Sequence, residues 1–198
     1  MRIIAGSHRG RQIRAPEGLA TRPMLDRVRE SLFSTLRDWL EGAKVLDLFA
    51  GSGSLGLEAL SRGAKAARMV ERHKPTLELL RRNVQELGLE ASVELVCADA
   101  LAPRAWQGGE LVGGSARWDL VFCDPPYPLM QDAKTRGEVL AALRALVAEH
   151  LEDSGRVVVH VPRGLLNTAS FGAAVSAECR TWGSNDVWYL GRPAGERA

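Results

Sequence analysis

No apolar run in the 198 residues approaches the roughly 20 needed to span a bilayer, and the opening MRIIAGSHRGR lacks the long apolar segment of a secretory signal. Both absences point to a soluble protein of the cytoplasm. Cysteine is scarce: Cys97, Cys123 and Cys179 are an odd number without paired spacing, which argues against a disulfide framework or a zinc site and predicts small buried side chains. His8, His73, His150 and His160 are scattered and lack ligand spacing, so no metal is assigned. Internal repeats and low-complexity tracts are missing too. With 45% hydrophobic and 25% charged residues, wholesale disorder is excluded and one main core with a small appendage is expected.

What is present is unevenly distributed. Residues 1–30 hold seven arginines against three acids, a local charge of +4, and the rest of the chain holds 19 basic and 21 acidic residues, a charge of −2. A basic leading arm on a slightly acidic body suits contact with phosphates, although a solvated surface would look the same. Within the arm, RIIAG and RQIRAP flank a turn and read as a hairpin, with Gly6 and Gly10 supplying conformational freedom. From Pro23 to Leu40, the apolar residues Val28, Leu32, Leu36 and Leu40 recur every four positions, the pattern of an amphipathic helix. These elements define an extension over residues 1–41, followed by a main domain over 42–198.

In the main domain the rhythm alternates. KVLDLFA, AARMVE, SVELVCADA, WDLVFCD and GRVVVHV read as strands, separated by helical stretches SLGLEALSRG, KPTLELLRRNVQELG and RGEVLAALRALVAEHL. Such alternation predicts an α/β protein with a doubly wound parallel sheet. AAVSAECRTW and NDVWYLG then form a closing antiparallel hairpin. The Gly-rich connection 102–117 and the stretch YPLMQDAKT, Tyr127 to Thr135, are expected to be loops.

Two motifs carry chemistry. In VLDLFAGSGSLG, Gly51 and Gly53 follow a strand and open a helix, a turn that lets a ligand approach the backbone, and Glu71 stands 20 residues after Gly51 at the end of the next strand. An acid placed there can bind ribose hydroxyls, a need shared by nicotinamide cofactors and S-adenosylmethionine, and the glycine spacing does not separate the two. Asp47, inside the strand end, suits a cationic methionine group better than a pyrophosphate, or else it caps the turn. Asp99 in CADA can accept from an adenine amino group, or is a surface acid. The second motif is VFCDPPY. Asp124 and the Pro125 carbonyl are acceptors on a turn stiffened by Pro125 and Pro126, and Tyr127 offers a flat face. A nucleobase amine is their chemical complement, although a Pro-Pro turn can also simply end a strand.

RIIAGSHRGRQI, TRPMLDRVRESLF, LDLFAGSGSLGLEALSRGA and DLVFCDPPY together resemble the bacterial 16S ribosomal RNA guanine-N2 methyltransferases. The resemblance implies a Rossmann-like seven-stranded sheet with a small N-terminal hairpin-and-helix extension. It implies S-adenosyl-L-methionine held by Asp47, Gly51, Ser52, Gly53, Glu71, Asp99 and Ala100, and a target guanine held by Asp124, Pro125, Pro126 and Tyr127. The partner is 16S rRNA or a small-subunit assembly particle, met through Arg2, Arg9, Arg11, Arg14, Arg22, Arg27 and Arg29, with no membrane or metal and a monomeric enzyme expected. Arg27 or Arg29 can instead pin the helix to the core. DPPY is shared with DNA adenine and protein glutamine methyltransferases, and an NAD-dependent oxidoreductase would account for the glycines and Glu71 alone. Three positions depart from the family: Met24 stands where a threonine is usual, WGSND at Trp182–Asp186 matches only loosely, and His160 replaces a frequent acid and reads as structural.

Overall fold

The apolar runs pair as the alternation demands. In the computed structural model, which describes residues 1–15, 26–109, 111 and 117–193, five strands run parallel: β1 (Lys44–Leu48), β2 (Ala66–Val70), β3 (Val93–Val96), β4 (Trp118–Cys123) and β5 (Leu151–Pro162). The tail adds β6 (Ser176–Trp182) and β7 (Asn185–Gly191) as an antiparallel hairpin, with β7 against β5. The sheet order is β3-β2-β1-β4-β5-β7-β6, and the direction of winding reverses between β1 and β4. In open α/β sheets that switch point, at the carboxyl ends of the strands, is where ligands bind.

Helices cover both faces, which is why most positions of β1 to β4 are apolar rather than alternating with polar ones. α1 (Asp26–Thr35), α2 (Ser54–Ser61) and α3 (Lys74–Leu87) pack Phe33, Leu57 and Leu80 against Val45, Met69 and Phe122. α4 (Tyr127–Gln131) and α5 (Ala133–Glu149) cover the other face, where Met130, Leu143 and Leu146 meet Leu46 and Val121. In α3 the buried Thr76, Leu77, Leu80, Asn83, Val84 and Leu87 keep helical spacing, Pro75 sits in the first turn, and Gly88 closes the helix at φ 70°.

Three expectations need correction. The leading helix ends at Thr35, not Leu40, and passes into a 3₁₀ turn at Arg37–Trp39. Ser34 Oγ and Thr35 Oγ1 donate back to the Glu30 and Ser31 carbonyls (2.9 and 3.1 Å), a competition that weakens helix ends. Leu36 and Leu40 are nonetheless buried. YPLMQDAKT is helical rather than a loop: Pro128 falls in the first turn of α4, where its missing N–H is harmless, and Asp132 caps α5 by accepting from the Thr135 N–H at 2.9 Å. Among the cysteines Cys123 is buried, but Cys97 is exposed just past edge strand β3 and Cys179 is partly exposed.

The leading arm is a minimal hairpin. Arg2 and Gln12 form an antiparallel bridge, and the Ile3 and Ile13 N–H groups donate to Arg11 and Met1 carbonyls at 3.0 and 2.8 Å. It is fastened to α2. The fully buried Glu58 carboxylate accepts from the Ile4 and Ala5 N–H groups (2.7 and 3.0 Å) and from Arg62 Nε (2.7 Å). Gly6, at φ 85°, lies so close to α2 that a Cβ would stand 1.7 Å from the Ser61 carbonyl oxygen. Ile3, Ile13, Leu32 and Leu36 join the same core as β1 and β4. Among the described residues no helix is long and apolar enough to cross a membrane.

Candidate active site

Beyond β1 the chain turns sharply. Phe49 adopts a left-handed φ of 60°, uncommon for a bulky side chain, and Gly51 and Gly53 follow at 55° and 83° before α2 begins. Strain concentrated in one loop is a mark of functional sites. Asp47, 2% exposed, accepts a hydrogen bond from the Gly56 N–H at 2.9 Å, so its carboxylate caps the first turn of α2. Burial raises its pKa to about 7; the Gly56 bond works against that rise, and the charges of Asp124 and Glu71 add to it.

Glu71 closes the loop from the neighbouring strand. Its Oε2 accepts from the Gly51 N–H at 3.1 Å and its Oε1 from the His73 N–H at 2.8 Å. Asp99 is exposed past β3 and accepts from the Leu101 N–H at 2.9 Å, and Ala100 is buried beside it. Ser52 is buried, and its carbonyl accepts from Asn83 of α3 at 2.9 Å. The same amide donates to the Arg14 carbonyl at 3.0 Å, and the Arg14 N–H donates to Asn83 Oδ1 at 2.9 Å. Asn83 thus ties the glycine loop to the arm.

β4 stops at Cys123, before the two prolines, and Pro126 caps α4. Val45, Phe122, Val158 and Val187 all belong to the core under α1–α3, so strand alternation puts Asp47, Asp124, His160 and Asn185 on that same face. Asp124 and Tyr127 each have a partner there. His160 Nδ1 lies 2.9 Å from Asp124 Oδ1, and the Tyr127 hydroxyl donates to Asn185 Oδ1 at 3.1 Å. Burial disfavours charge on the His160 ring, but the hydrogen bond and charge of Asp124, helped by nearby Asn185, outweigh it and raise the pKa above the ordinary histidine value. The sequence marks both positions as departures from the family, His160 as structural and Asn185 within the loosely matching WGSND, but gives neither a role at the site.

The arginines divide. Arg9 and Arg27 are exposed and have no ion pair among the described residues. Arg2 lies 3.7 Å from Asp26, Arg11 donates to the Glu86 carbonyl, and Arg14 pairs with the Glu86 carboxylate at 2.6 Å. Exposed pairs of this kind contribute little and exchange readily for phosphates. Arg29 is a correction: it is fully buried, donating to the Arg2 carbonyl at 2.6 Å and to Asp26 at 3.0 Å, so it pins the arm and cannot reach RNA. Arg22, with Pro23 and Met24, lies outside the described residues.

The family model described as "Conserved hypothetical protein 95" matches residues 1–190, arm and sheet together. The chain belongs to this family. It is 34% identical to the Bacillus subtilis protein named "Putative rRNA methyltransferase YlbH", over 94% of this chain and 96% of that one. It is 39% identical to Escherichia coli (strain K12) "Ribosomal RNA small subunit methyltransferase D" over 64% of this chain, spanning 60% of that protein. Among solved structures, "Putative methyltransferase yhhF" from Escherichia coli superposes with a TM-score of 0.77 at 30% identity, covering 98% of each chain. The methyltransferase resemblance read from the sequence therefore holds, and so does the seven-stranded class I fold.

Proposed function

We propose that this protein transfers a methyl group from S-adenosylmethionine to the exocyclic N2 of a guanine in 16S ribosomal RNA of the small subunit. One observation carries the reading: Asp47, Glu71 and Asp124 bring three carboxylates within electrostatic reach around a glycine loop, at the switch point of the sheet. Such a site attracts a cationic sulfonium nucleoside and repels the pyrophosphate of a nicotinamide cofactor. The names of the two rRNA methyltransferase relatives support the RNA substrate.

Asp47, Gly51, Ser52 and Gly53 would hold the methionine portion, Glu71 the ribose, and Asp99 and Ala100 the adenine. A carboxylate oxygen has more than one acceptor site, so Glu71 can keep its bonds to Gly51 and His73 while receiving hydroxyls. S-adenosylmethionine, when bound, supplies the electrophilic methyl. His160 occupies Oδ1 of Asp124, leaving Oδ2 to accept from the guanine amine. Acceptors on the amine hydrogens favour the electron-rich nitrogen of the transition state. The methylated amine is cationic and sheds its proton easily, so no strong base is required. Tyr127 contributes a stacking face worth about 1–3 kcal/mol, and the base must be flipped out or lie in a loop to reach it.

Binding of the cofactor is expected to depend on pH. The folded pKa of Asp47, about 7, lies above the ordinary 3.8, so the fold binds a proton more readily than the unfolded chain, and stability falls as pH rises from about 4 to 7. That difference amounts to about 4 kcal/mol. A bound cation favours the carboxylate, so affinity should rise about tenfold between pH 6 and 8, with proton release. Calorimetry in buffers of different ionisation enthalpy checks this, with Asp47→Asn binding more weakly and without pH dependence. Heat from NAD in place of S-adenosylmethionine, or binding independent of pH, would count against the reading.

Arg2, Arg9, Arg11, Arg14 and Arg27 are assigned to RNA phosphates, with Arg22 as a further candidate. Contact with about four phosphates gives a log–log salt slope of roughly −3 on single-stranded RNA. Deleting the arm would strip Ile3 and Ile13 from the core, so substitution is the cleaner test. Arg9→Ser with Arg27→Ser should make the slope shallower by roughly 1.4. An unchanged slope would remove these two residues from the interface.

A further inference from the structure

The two side chains assigned to the target base are both held, on the same face of the sheet, by residues of the neighbouring β5–β7 pair. In its register His160 pairs with Val187 and Pro162 with Asn185, so His160 and Asn185 lie diagonally across two neighbouring strands. His160 reaches Asp124 and Asn185 reaches Tyr127, at 2.9 and 3.1 Å. We infer that His160 and Asn185 are positioning residues of the methyl-acceptor site, fixing the Asp124 carboxylate and the Tyr127 ring in the orientation that receives the base. The inference rests on the proposed function.

The chemistry of the contacts supports it. A carboxylate only accepts, so His160 Nδ1 carries the hydrogen and one Asp124 oxygen is committed to it. The imidazole side chain is 6% exposed, packed so that it cannot swing away, whereas the Asp124 side chain is 35% exposed. The partly exposed acid is therefore anchored through one oxygen to an immobile donor, and the other oxygen is left for an incoming N–H. Tyr127 is treated likewise: its ring is tethered at the hydroxyl, which stops it from tilting at the start of the short helix α4. Neither Asp124 nor Tyr127 belongs to the strand pair that steadies it. Misplacement of a reacting group by about 1 Å can cost 10²-fold in rate, so tethers of this kind are expected to act on turnover rather than on binding.

The test compares variants that keep or lose each bond. The Asn side chain can place its amide nitrogen near the position of imidazole Nδ1, whereas Leu fills space without donating. His160→Leu should lower kcat by about 10- to 100-fold, with KM for RNA and cofactor affinity within about threefold, and His160→Asn should recover most of the loss. Asn185→Ala should lower kcat, and Asn185→Asp, which still accepts from the hydroxyl, should restore it. Tyr127→Phe combined with Asn185→Ala should be no slower than the worse single variant, because both remove one bond. The inference is overturned if His160→Leu keeps kcat, if His160→Asn and Asn185→Asp rescue nothing, or if the double variant shows the product of the single losses. Should His160→Leu fail to fold, the Tyr127–Asn185 pair decides on its own. Wild-type protein that transfers no methyl to RNA would instead overturn the functional reading.

Discussion

Asp124→Ala is expected to reduce methyl transfer by about 10²–10³-fold, the usual cost of removing one preorganised group aimed at a transition state. The side chain stands just past β4, with one oxygen bonded to His160 and the other available. Its removal takes away an acceptor that strengthens as the guanine nitrogen becomes electron-rich, so the loss should appear in kcat. Cofactor affinity should fall much less than turnover, because Asp124 acts on that site only through its charge, beside Asp47 and Glu71. That charge gives a second readout. Asp124 helps to raise the pKa of Asp47, so the variant should move the midpoint of the cofactor-binding pH profile downwards. Near-normal turnover with intact cofactor binding would remove Asp124 from its assigned role.

Glu58→Ala is expected to destabilise the protein by about 3–5 kcal/mol, the range for breaking a buried charge network. Glu58 is fully buried and takes three hydrogen bonds, two from the arm and one from Arg62. Its charge also supports the buried Arg29 guanidinium, whose pKa burial depresses and which Glu58 and Asp26 help to restore. Without Glu58, two backbone N–H groups and two cations lose compensation at once. A loss of that size is a large share of the 5–15 kcal/mol typical of a domain, and should show as a lowered denaturation midpoint. RNA affinity should fall as the arm loosens. Glu58→Gln, which keeps an acceptor oxygen but not the charge, should lie between. A change below about 1 kcal/mol would mean that the arm is held by apolar packing alone.

The parts of this structure that were legible in sequence are those whose cause is local. The five parallel strands were readable because helices cover both faces and leave short, mainly apolar runs such as LVFC and VVV. The glycine loop and DPPY were readable because the turn, the acceptors and the ring lie within a few residues of each other. For Arg29 the sequence leaves RNA contact and a pin to the core both open, and the second holds: the buried stripe of α1 takes in Val28, Arg29, Leu32 and Phe33, with Arg29 one turn from Phe33. α4 is hidden because the three prolines of DPPYP read as breakers, whereas Pro125 precedes the helix, Pro126 stands at its N-cap and Pro128 falls in its first turn. The contacts of His160 and Asn185 are not legible in the sequence because their partners are 36 and 58 residues away in the chain. Sheet order alone brings them together, and that order is not a local property.

The most direct test is methyl transfer from labelled S-adenosylmethionine to unmodified 16S rRNA and to small subunits side by side, with mapping of the modified base and atom. The account predicts one methyl per RNA on the N2 of a single guanine, in at least one of the two substrates, and transfer slowed by about 10²–10³-fold with Asp124→Ala. Label on adenine N6 or on protein, or no transfer to either substrate, would contradict it.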